Sequence, residues 1–388
     1  MAAKVSLGVV GLGTIAQTQH LPNILDLGDR YRIAAVADIS PGLVAAIAAD
    51  LSGDVGASQN WRDVCANADV DAVLLLTPGG HEVMTEAALA AGKHVFAEKP
   101  LCLTVAAATR LNTLARDRGL VLQVGYMKSH ESSLDELRRR LIGMGDLRLV
   151  RHTVYHPERE PQLAHTSVLS FDDVHVGPLG GAAEHAEART IEAIGESPRQ
   201  WGRLYREVLQ GSLIHTVSLI RLVFGELPAI SGGRLWPAAR FGPEVGFGPE
   251  NTDPPSLQVI GMLGDGTAVE MNWLWLPNYP VYREVLEIVC GSGSMELDLP
   301  PPYVRERAAE LTVRGGEGVL HHGGGTDSAF VHEVVAFHGA IAEGLVLDDA
   351  RGAAADTAWL QDALQALAAA EGVVLGGEVA QRRRTTDR

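Results

Sequence analysis

A glycine-rich turn near the N-terminus constrains the fold of this chain more than any other feature. The apolar run Val5–Val10 predicts a β-strand, and the sequence Gly-Leu-Gly-Thr-Ile-Ala follows it at residues 11–16. Glycine at position 11 permits a tight turn, and glycine at position 13 lets the backbone approach a pyrophosphate at the positive end of the following helix. An ordinary strand-to-helix turn is the alternative. We predict that the turn binds a dinucleotide through Gly11, Gly13, Thr14 and Ile15.

The first 126 residues alternate between short apolar runs and helix-like segments. This alternation predicts an α/β domain with a doubly wound parallel sheet, the Rossmann arrangement, over residues 1–126. The pattern changes afterwards, and strand-like runs joined by Gly-Asp-Gly and Gly-Ser-Gly indicate an antiparallel meander. We predict a second, α+β domain over residues 127–380, with an insertion at about 156–200, and a polar tail over residues 381–388.

Composition narrows the range of partners. The chain has 388 residues, of which 46% are hydrophobic, and its formal net charge is −16. Such an acidic chain is poorly suited to nucleic acid or to an anionic membrane surface. We find no apolar run of about 20 residues that would span a bilayer, and we interpret the N-terminal run as a strand rather than a signal peptide. The expectation is a cytoplasmic protein that binds small molecules.

The cysteines and histidines give no metal or disulfide pattern. Cys65, Cys102 and Cys290 lie far apart in the sequence, so we predict buried, unpaired thiols. We find no HExxH or comparable motif, and we therefore predict no metal site.

Asp38 follows the second predicted strand and bears on the choice of coenzyme. A carboxylate at this position can accept hydrogen bonds from both ribose hydroxyls of an adenosine and repels a 2′-phosphate. Ile39 and Ser40 follow it, so no basic residue comes next. The pattern favours NAD(H), with NADP(H) as the alternative. In that alternative, Asp38 only caps the helix that begins near Pro41.

Two further loops follow predicted strands at the edge where open parallel sheets bind ligands. One carries Thr77, Pro78 and His81, and the other carries Glu98 and Lys99. The Lys99 ammonium could stabilise negative charge on a reacting oxygen, with Glu98 orienting it. A surface ion pair is the alternative. We predict that these five residues also contact the coenzyme.

These segments resemble the glucose–fructose oxidoreductase/inositol dehydrogenase (Gfo/Idh/MocA) family. The resemblance rests on residues 11–16, on Thr77-Pro78 with His81, and on Ala-Gly-Lys-His-Val at 91–95 leading to Glu98-Lys99-Pro100. It is close through about residue 126. It implies a Rossmann domain, a second domain with an open, mostly antiparallel sheet, and a homodimer or homotetramer formed through that sheet. It also implies catalysis on a sugar or cyclitol hydroxyl, with Lys99 beside the nicotinamide.

The same resemblance extends to the run 211–225 and implies that His215 is the general acid/base. Imidazole suits that role because it exchanges a proton near neutral pH. The chain departs from the family pattern at Gly211 and Ser218, where many members carry aspartate. The missing carboxylate could come from Asp172, Asp173, Glu187 or Glu207. A histidine packed on a buried helix is the alternative.

Large side chains near these segments could contact a polyol. The candidates are Tyr126, Lys128, Trp201, Arg203 and Tyr205, and ordinary packing is their alternative. Trp273 and Trp275 share one apolar face of a strand, which predicts either a subunit contact or a buried core.

The sequence therefore predicts an NAD(H)-dependent oxidoreductase that transfers hydride between nicotinamide and a ring hydroxyl or ketone of a sugar, cyclitol or related polyhydroxy compound. Two alternatives stand beside it. One is a lyase or glycoside-cleaving enzyme that oxidises its substrate transiently, and the other is a catalytically silent, nucleotide-sensing regulatory protein.

Overall fold

The structure, a computed structural model, describes residues 4–51, 53–174, 180–197, 199–236, 253–323, 325–326, 328–345 and 349–386. Its first part alternates strands and helices. They are β1 (Val5–Val10), a π-helical turn (Ala16–His20) continued by α1 (Leu21–Asp26), β2 (Tyr31–Ala37), α2 (Pro41–Asp50), β3 (Gly56–Ser58), α3 (Trp61–Ala66), β4 (Ala72–Leu75), α4 (Glu82–Ala90), β5 (His94–Glu98), α5 (Val105–Asp117) and β6 (Leu122–Gly125).

The six strands form one parallel sheet in the order β3-β2-β1-β4-β5-β6. This order reverses direction beside β1, which places a ligand crevice at the carboxyl ends of β1 and its neighbours. The central strands are buried along their whole length, and Leu74 pairs with Phe96 in the core. The prediction of a doubly wound parallel sheet is confirmed. Strand β3 escaped prediction because its three residues, Gly-Ala-Ser, have no apolar pattern.

The helix after the glycine turn widens into a π-helical turn before α1. Pro22 stands at the start of α1, and a proline has no N–H for the carbonyl four residues earlier and collides with it. The wider turn accommodates this mismatch. It also carries His20 into the interior, where the side chain is fully buried.

The second part begins with a 3₁₀ turn at Met127–His130 and contains the second sheet. Its elements are α6 (Leu134–Leu141), β7 (Leu147–His156), α7 (Arg159–Leu163), α8 (Gly180–Ile194), α9 (Arg199–Arg203), a π-helical segment (Leu204–Leu213), α10 (Ile214–Phe224), β8 (Ala229–Trp236), β9 (Ser256–Met262), β10 (Ala268–Trp275), β11 (Arg283–Cys290), β12 (Gly293–Leu299), β13 (Glu310–Gly315), β14 (Gly318–Gly323), α11 (Ala329–Glu343), α12 (Asp349–Ala370) and α13 (Gly377–Thr386).

The second sheet has eight strands in the order β14-β13-β12-β11-β7-β10-β9-β8. Its neighbours run antiparallel except β7 and β10, which are parallel. The predicted open, mostly antiparallel sheet is confirmed. The alternation along β10 turns Trp273 inward, where it is 2% exposed and its Nε1 donates to Ser212 Oγ at 2.9 Å. For this side chain the subunit-contact interpretation is wrong, and core packing is the correct one.

The chain divides into two compact units, which differ from a simple cut at residue 126. Unit 1 contains residues 1–126, 166–189 and 330–355, and unit 2 contains residues 127–165, 190–329 and 356–388. Part of the predicted insertion therefore belongs to unit 1.

The last residues also differ from the prediction. The segment predicted as a polar tail is helical in α13 as far as Thr386. Within unit 2, Arg382 donates to Asp362 Oδ1 at 2.7 Å and to the carbonyl of Ala358 at 3.2 Å, which holds this helix in place. Residues 387–388 lie outside the described part of the chain.

The three cysteines are free and buried, as predicted. One helical run, Arg199–Phe224, is long and apolar enough to cross a membrane by length and composition, which the sequence interpretation did not recognise. Its most apolar window is 67% buried, as in the core helix of a globular protein.

Candidate functional site

The glycine turn has the backbone geometry that a bound pyrophosphate needs. Gly11 has a φ of +90°, and a Cβ there would lie 2.7 Å from the backbone nitrogen of Thr77. Only glycine is tolerated at such a position. A Cβ on Gly13 would meet nothing within 4 Å, so the backbone faces open space. The turn is therefore closed on its sheet side and open on the other, which fits a dinucleotide.

The other two predicted residues of the turn have local roles. Thr14 is half-buried, and its carbonyl accepts a 2.8 Å hydrogen bond from Thr18 Oγ1. Ile15 packs against the hydrophobic core of unit 1. The side chain of Ile15 thus fixes the helix to the sheet, and its backbone remains the part that could approach a ligand.

Asp38 connects the end of β2 to the glycine turn. One carboxylate oxygen accepts from the backbone N–H of Leu12 at 2.7 Å, and the other accepts from the N–H of Ser40 at 3.0 Å. Ser40, rather than Asp38, is the N-cap of α2, because its hydroxyl accepts from the N–H of Leu43. The interpretation of Asp38 as only a helix cap is therefore wrong. Each carboxylate oxygen keeps a further acceptor site for a ribose hydroxyl.

The loop after β4 carries Thr77, Pro78 and His81. Pro78 is exposed, whereas the hydroxyl oxygen of Thr77 is buried and makes no hydrogen bond within the described part of the chain. His81 is fully buried, and its ring nitrogens lie 2.9 Å from the carbonyl of Pro100 and 2.8 Å from that of Thr77. Burial lowers the pKa of His81 below its ordinary value. His81 thus joins the two loops and positions them.

Glu98 and Lys99 end β5, and a histidine that the sequence analysis did not single out holds them. Glu98 Oε1 lies 2.9 Å from His20 Nε2, and Glu98 Oε2 accepts from the backbone N–H of Lys99 at 3.1 Å. Burial opposes ionisation of Glu98, but the hydrogen bond and charge of His20, together with the charges of Lys99 and His81, lower the pKa of Glu98. His20 also packs edge-on against Phe96 and Phe330. Glu98 therefore fixes the backbone of Lys99.

His215 lies in unit 2, near the start of α10. Its side chain is 7% exposed, and its carbonyl accepts from the Ser218 hydroxyl at 3.1 Å. Lys99 belongs to unit 1, so the two residues predicted to be catalytic lie in different units.

Two of the four carboxylates considered for the missing aspartate have partners elsewhere. Asp173 bonds Ser40 and Gly42 within unit 1, and Glu207 pairs with Arg203 within unit 2. Because both carboxylates have these partners, the structure assigns neither of them to His215.

Lys128, predicted to contact a polyol, lies in a buried polar cluster of unit 2. Its ammonium pairs with Glu284, whose second oxygen lies 2.8 Å from His152 Nε2. Tyr282 also donates to Glu284, and His152 Nδ1 lies 3.2 Å from Thr216 Oγ1 on α10. Burial raises the energy of the Glu284 carboxylate, but Lys128 and His152 compensate and hold its pKa below the ordinary value. The Lys128 side chain is buried against a carboxylate, and its contact with a polyol stays a prediction.

The aromatic candidates also follow the packing alternative. Trp201 and Tyr205 are 4% and 0% exposed, and the Tyr205 hydroxyl accepts from Gln210 at 2.9 Å. Tyr126 is 1% exposed. Arg203 forms a bidentate pair with Glu207. In this conformation none of the three aromatic rings offers a face to a sugar.

The order of the first sheet and the geometry of the turn are those of a dinucleotide-binding Rossmann domain. Residues 5–126 match the model of the "Oxidoreductase family, NAD-binding Rossmann fold". This segment belongs to the Gfo/Idh/MocA family, and the resemblance found in the sequence is confirmed.

Some known proteins are similar to this chain in sequence, and others are similar in structure. The chain is 34% identical over 174 residues to inositol 2-dehydrogenase 3 of Saccharopolyspora erythraea, which is 43% of this chain and 50% of that protein. It is 34% identical over 138 residues to inositol 2-dehydrogenase of Serratia proteamaculans, which is 35% of this chain and 41% of that protein. The matches span about half the length of these relatives or less.

Solved structures match over nearly the whole chain. KijD10, a 3-ketoreductase from Actinomadura kijaniata in complex with NADP and TDP-benzene, has a TM-score of 0.70 at 16% identity and covers 94% of this chain and 98% of its own. An oxidoreductase from Thermotoga maritima has a TM-score of 0.68 at 19% identity, with 94% and 97% covered. At these identities the likeness establishes the fold.

Proposed function

We propose that the protein is an NAD(H)-dependent oxidoreductase that transfers hydride between nicotinamide and a ring hydroxyl or ketone of a sugar, cyclitol or related polyhydroxy compound. The observation that carries the proposal is the end of β5, where buried His20 holds Glu98 and Glu98 holds the backbone of Lys99. A lysine held at this strand end is suited to stabilising charge on a reacting oxygen. The inositol 2-dehydrogenases that match part of the chain support the substrate class.

The residues of unit 1 suit the coenzyme. The turn at Gly11 and Gly13 would hold the pyrophosphate, Asp38 would accept from the ribose hydroxyls, and the buried hydroxyl of Thr77 would gain a partner. A bound nicotinamide coenzyme supplies the hydride acceptor or donor. The carboxylate of Asp38 favours NAD(H), because it repels a 2′-phosphate.

The chain's own residues handle the oxygen and its proton. The Lys99 ammonium donates to the substrate oxygen and stabilises the negative charge that develops there. His215 takes the hydroxyl proton during oxidation and returns it during reduction, because imidazole exchanges a proton near neutral pH.

Turnover with NAD and a panel of cyclitols and sugars tests the proposal. We expect Lys99→Ala to lower kcat by about 100-fold or more, since one donor to a developing oxyanion contributes about that factor. The NADH dissociation constant, measured by nicotinamide fluorescence, should change by less than about threefold. Lys93→Ala is the matched control, because Lys93 is a lysine of the same unit whose ammonium donates to the carbonyls of Asn67 and Val70. It should lower the melting temperature and leave kcat near the wild-type value.

The outcomes separate the alternatives. Near-normal turnover in Lys99→Ala would refute the role of this lysine. Substrate cleavage without net NADH formation would favour the lyase or glycoside-cleaving alternative. Tight NADH binding with no turnover of any polyol or sugar would favour a nucleotide-sensing regulatory protein.

A further inference from the structure

A short segment of the predicted insertion lies on the coenzyme-binding elements of unit 1. We call residues 169–173 the strap. The backbone N–H of Leu169 donates to Gln17 Oε1 at 2.8 Å, and Gln17 Nε2 donates to the Leu169 carbonyl at 3.1 Å. The same Gln17 amide donates to the carbonyl of Leu12 in the glycine turn at 2.8 Å. One end of the strap is therefore held beside the turn.

The other end of the strap is held at the start of α2. One Asp173 oxygen accepts from the Ser40 hydroxyl at 2.6 Å, and the other accepts from the N–H of Gly42 at 2.6 Å. A Cβ on Gly42 would lie 2.7 Å from Asp173 and 2.8 Å from the Phe171 ring. The strap thus fits the first turn of α2 closely, and the glycine leaves room for it.

Asp173 shares a hydrogen-bond partner, Ser40, with Asp38, the carboxylate proposed to bind the ribose hydroxyls. Asp38 accepts from the backbone N–H of Ser40, and Asp173 accepts from the hydroxyl of the same residue. A phosphate on the ribose hydroxyl that Asp38 binds would extend toward the residues that follow Asp38. The hydroxyl of Ser40 and the N–H of Gly42 are donors at this place, and Asp173 already accepts from both.

We infer that Asp173 is a second determinant of coenzyme selection, which excludes the 2′-phosphate of NADP(H) by taking its hydrogen-bond donors and by placing a second negative charge beside it. The inference rests on the proposed function, since it concerns the coenzyme of that reaction. It assigns a role to a residue outside the Rossmann sequence motifs. A ribose without the phosphate needs only Asp38, so Asp173 leaves NAD(H) binding unaffected.

Two substitutions separate the two effects of Asp173. Asp173→Asn keeps the size and the acceptor for Gly42 but removes the charge, whereas Asp173→Ala also releases both donors. We expect the ratio of the NADPH to the NADH dissociation constant to fall by about tenfold in the Asn variant and by more in the Ala variant. The NADH dissociation constant should stay within about twofold of wild type. Fluorescence titrations at low ionic strength suit the test, because salt screens the repulsion.

Asp172→Asn is the matched control. Asp172 is the neighbouring carboxylate and is exposed, so this variant makes the same change in net charge away from α2. Its dissociation-constant ratio should equal that of wild type. Circular dichroism confirms folding, and the isosteric Asn variant keeps the test available if the Ala variant unfolds.

Three results would overturn the inference. The first is a wild-type protein that prefers NADPH. The second is a ratio of the NADPH to the NADH dissociation constant that is the same in both Asp173 variants as in wild type and Asp172→Asn. In the second case the proposed function stands, because wild type still binds NADH. Folded wild type that binds neither coenzyme would overturn the proposed function and the inference together.

Discussion

Glu131 should make the protein less stable as the pH rises toward neutrality. Its side chain is buried in unit 2 near Lys128 and Glu284, and one oxygen accepts from the backbone N–H of Ala309 at 2.9 Å. Burial is the main cause that raises the pKa of Glu131 from 4.5 to about 7, although the Ala309 N–H and Lys128 oppose it. Below pH 4.5 the carboxyl is neutral in both the folded and the unfolded chain.

The sign and size of the effect follow from proton binding. Between pH 4.5 and about 7 the folded protein keeps a proton that the unfolded chain has released, so the free energy of unfolding falls as the pH rises. The stabilisation is present in full below pH 4.5 and is lost as the pH rises through about 7. A shift of this size amounts to roughly 3 kcal/mol above pH 7.

Urea unfolding of wild type and Glu131→Gln at pH 5.5 and pH 8 measures this loss. Glutamine keeps an oxygen for the Ala309 N–H and cannot ionise. We expect the stability advantage of the variant to be about 2 kcal/mol greater at pH 8 than at pH 5.5. Glu306→Gln, which changes an exposed carboxyl, is the control and should show no such difference. An equal advantage of Glu131→Gln at both pH values would refute the reasoning.

Two further predictions concern the coenzyme and the end of β5. Gly11→Ala should abolish NADH binding in fluorescence titrations, because its Cβ would meet the Thr77 backbone. Gly53→Ala, also at positive φ but with nothing within 4 Å of its Cβ, should bind normally, and normal binding by Gly11→Ala would contradict the assignment. His20→Ala should lower kcat by up to about 100-fold with little change in NADH affinity, because Lys99 is misplaced. The pKa of Glu98 should rise. In a pH profile, the loss of turnover on acidification should therefore begin at a higher pH than in wild type. His338→Ala, a second buried histidine of unit 1, should keep the wild-type profile, and an unchanged profile in His20→Ala would exclude the positioning role.

Local patterns in the sequence predicted the Rossmann domain well. Val5–Val10 followed by the glycine turn predicted β1, and the helix expected to begin near Pro41 is observed as α2. Such features depend on neighbouring residues, and the information is therefore present in a short window of sequence. The three-residue strand β3 has no such pattern, because it forms by pairing with β2.

The supporting contacts of the site could not be predicted in this way. His20 and Glu98 are 78 residues apart, and only the parallel sheet and the widened helical turn bring them together. Lys128 and Glu284 are 156 residues apart, so a lysine that looked available for a ligand is paired with a carboxylate of a distant strand. Long-range partners of this kind decide whether a polar side chain is free to bind or serves the fold.

The parallel pairing of β7 with β10 has a consequence for how unit 2 folds. The two parallel strands are separated by residues 157–267, which include α10 with His215 and the strands β8 and β9 of the same sheet. Bringing β7 and β10 together closes a long loop, which costs chain entropy before the strand pairing can offset that cost. The hairpins from β11 to β14 close over short distances. We therefore expect the β11–β14 meander to form first and the helix that bears His215 to settle late.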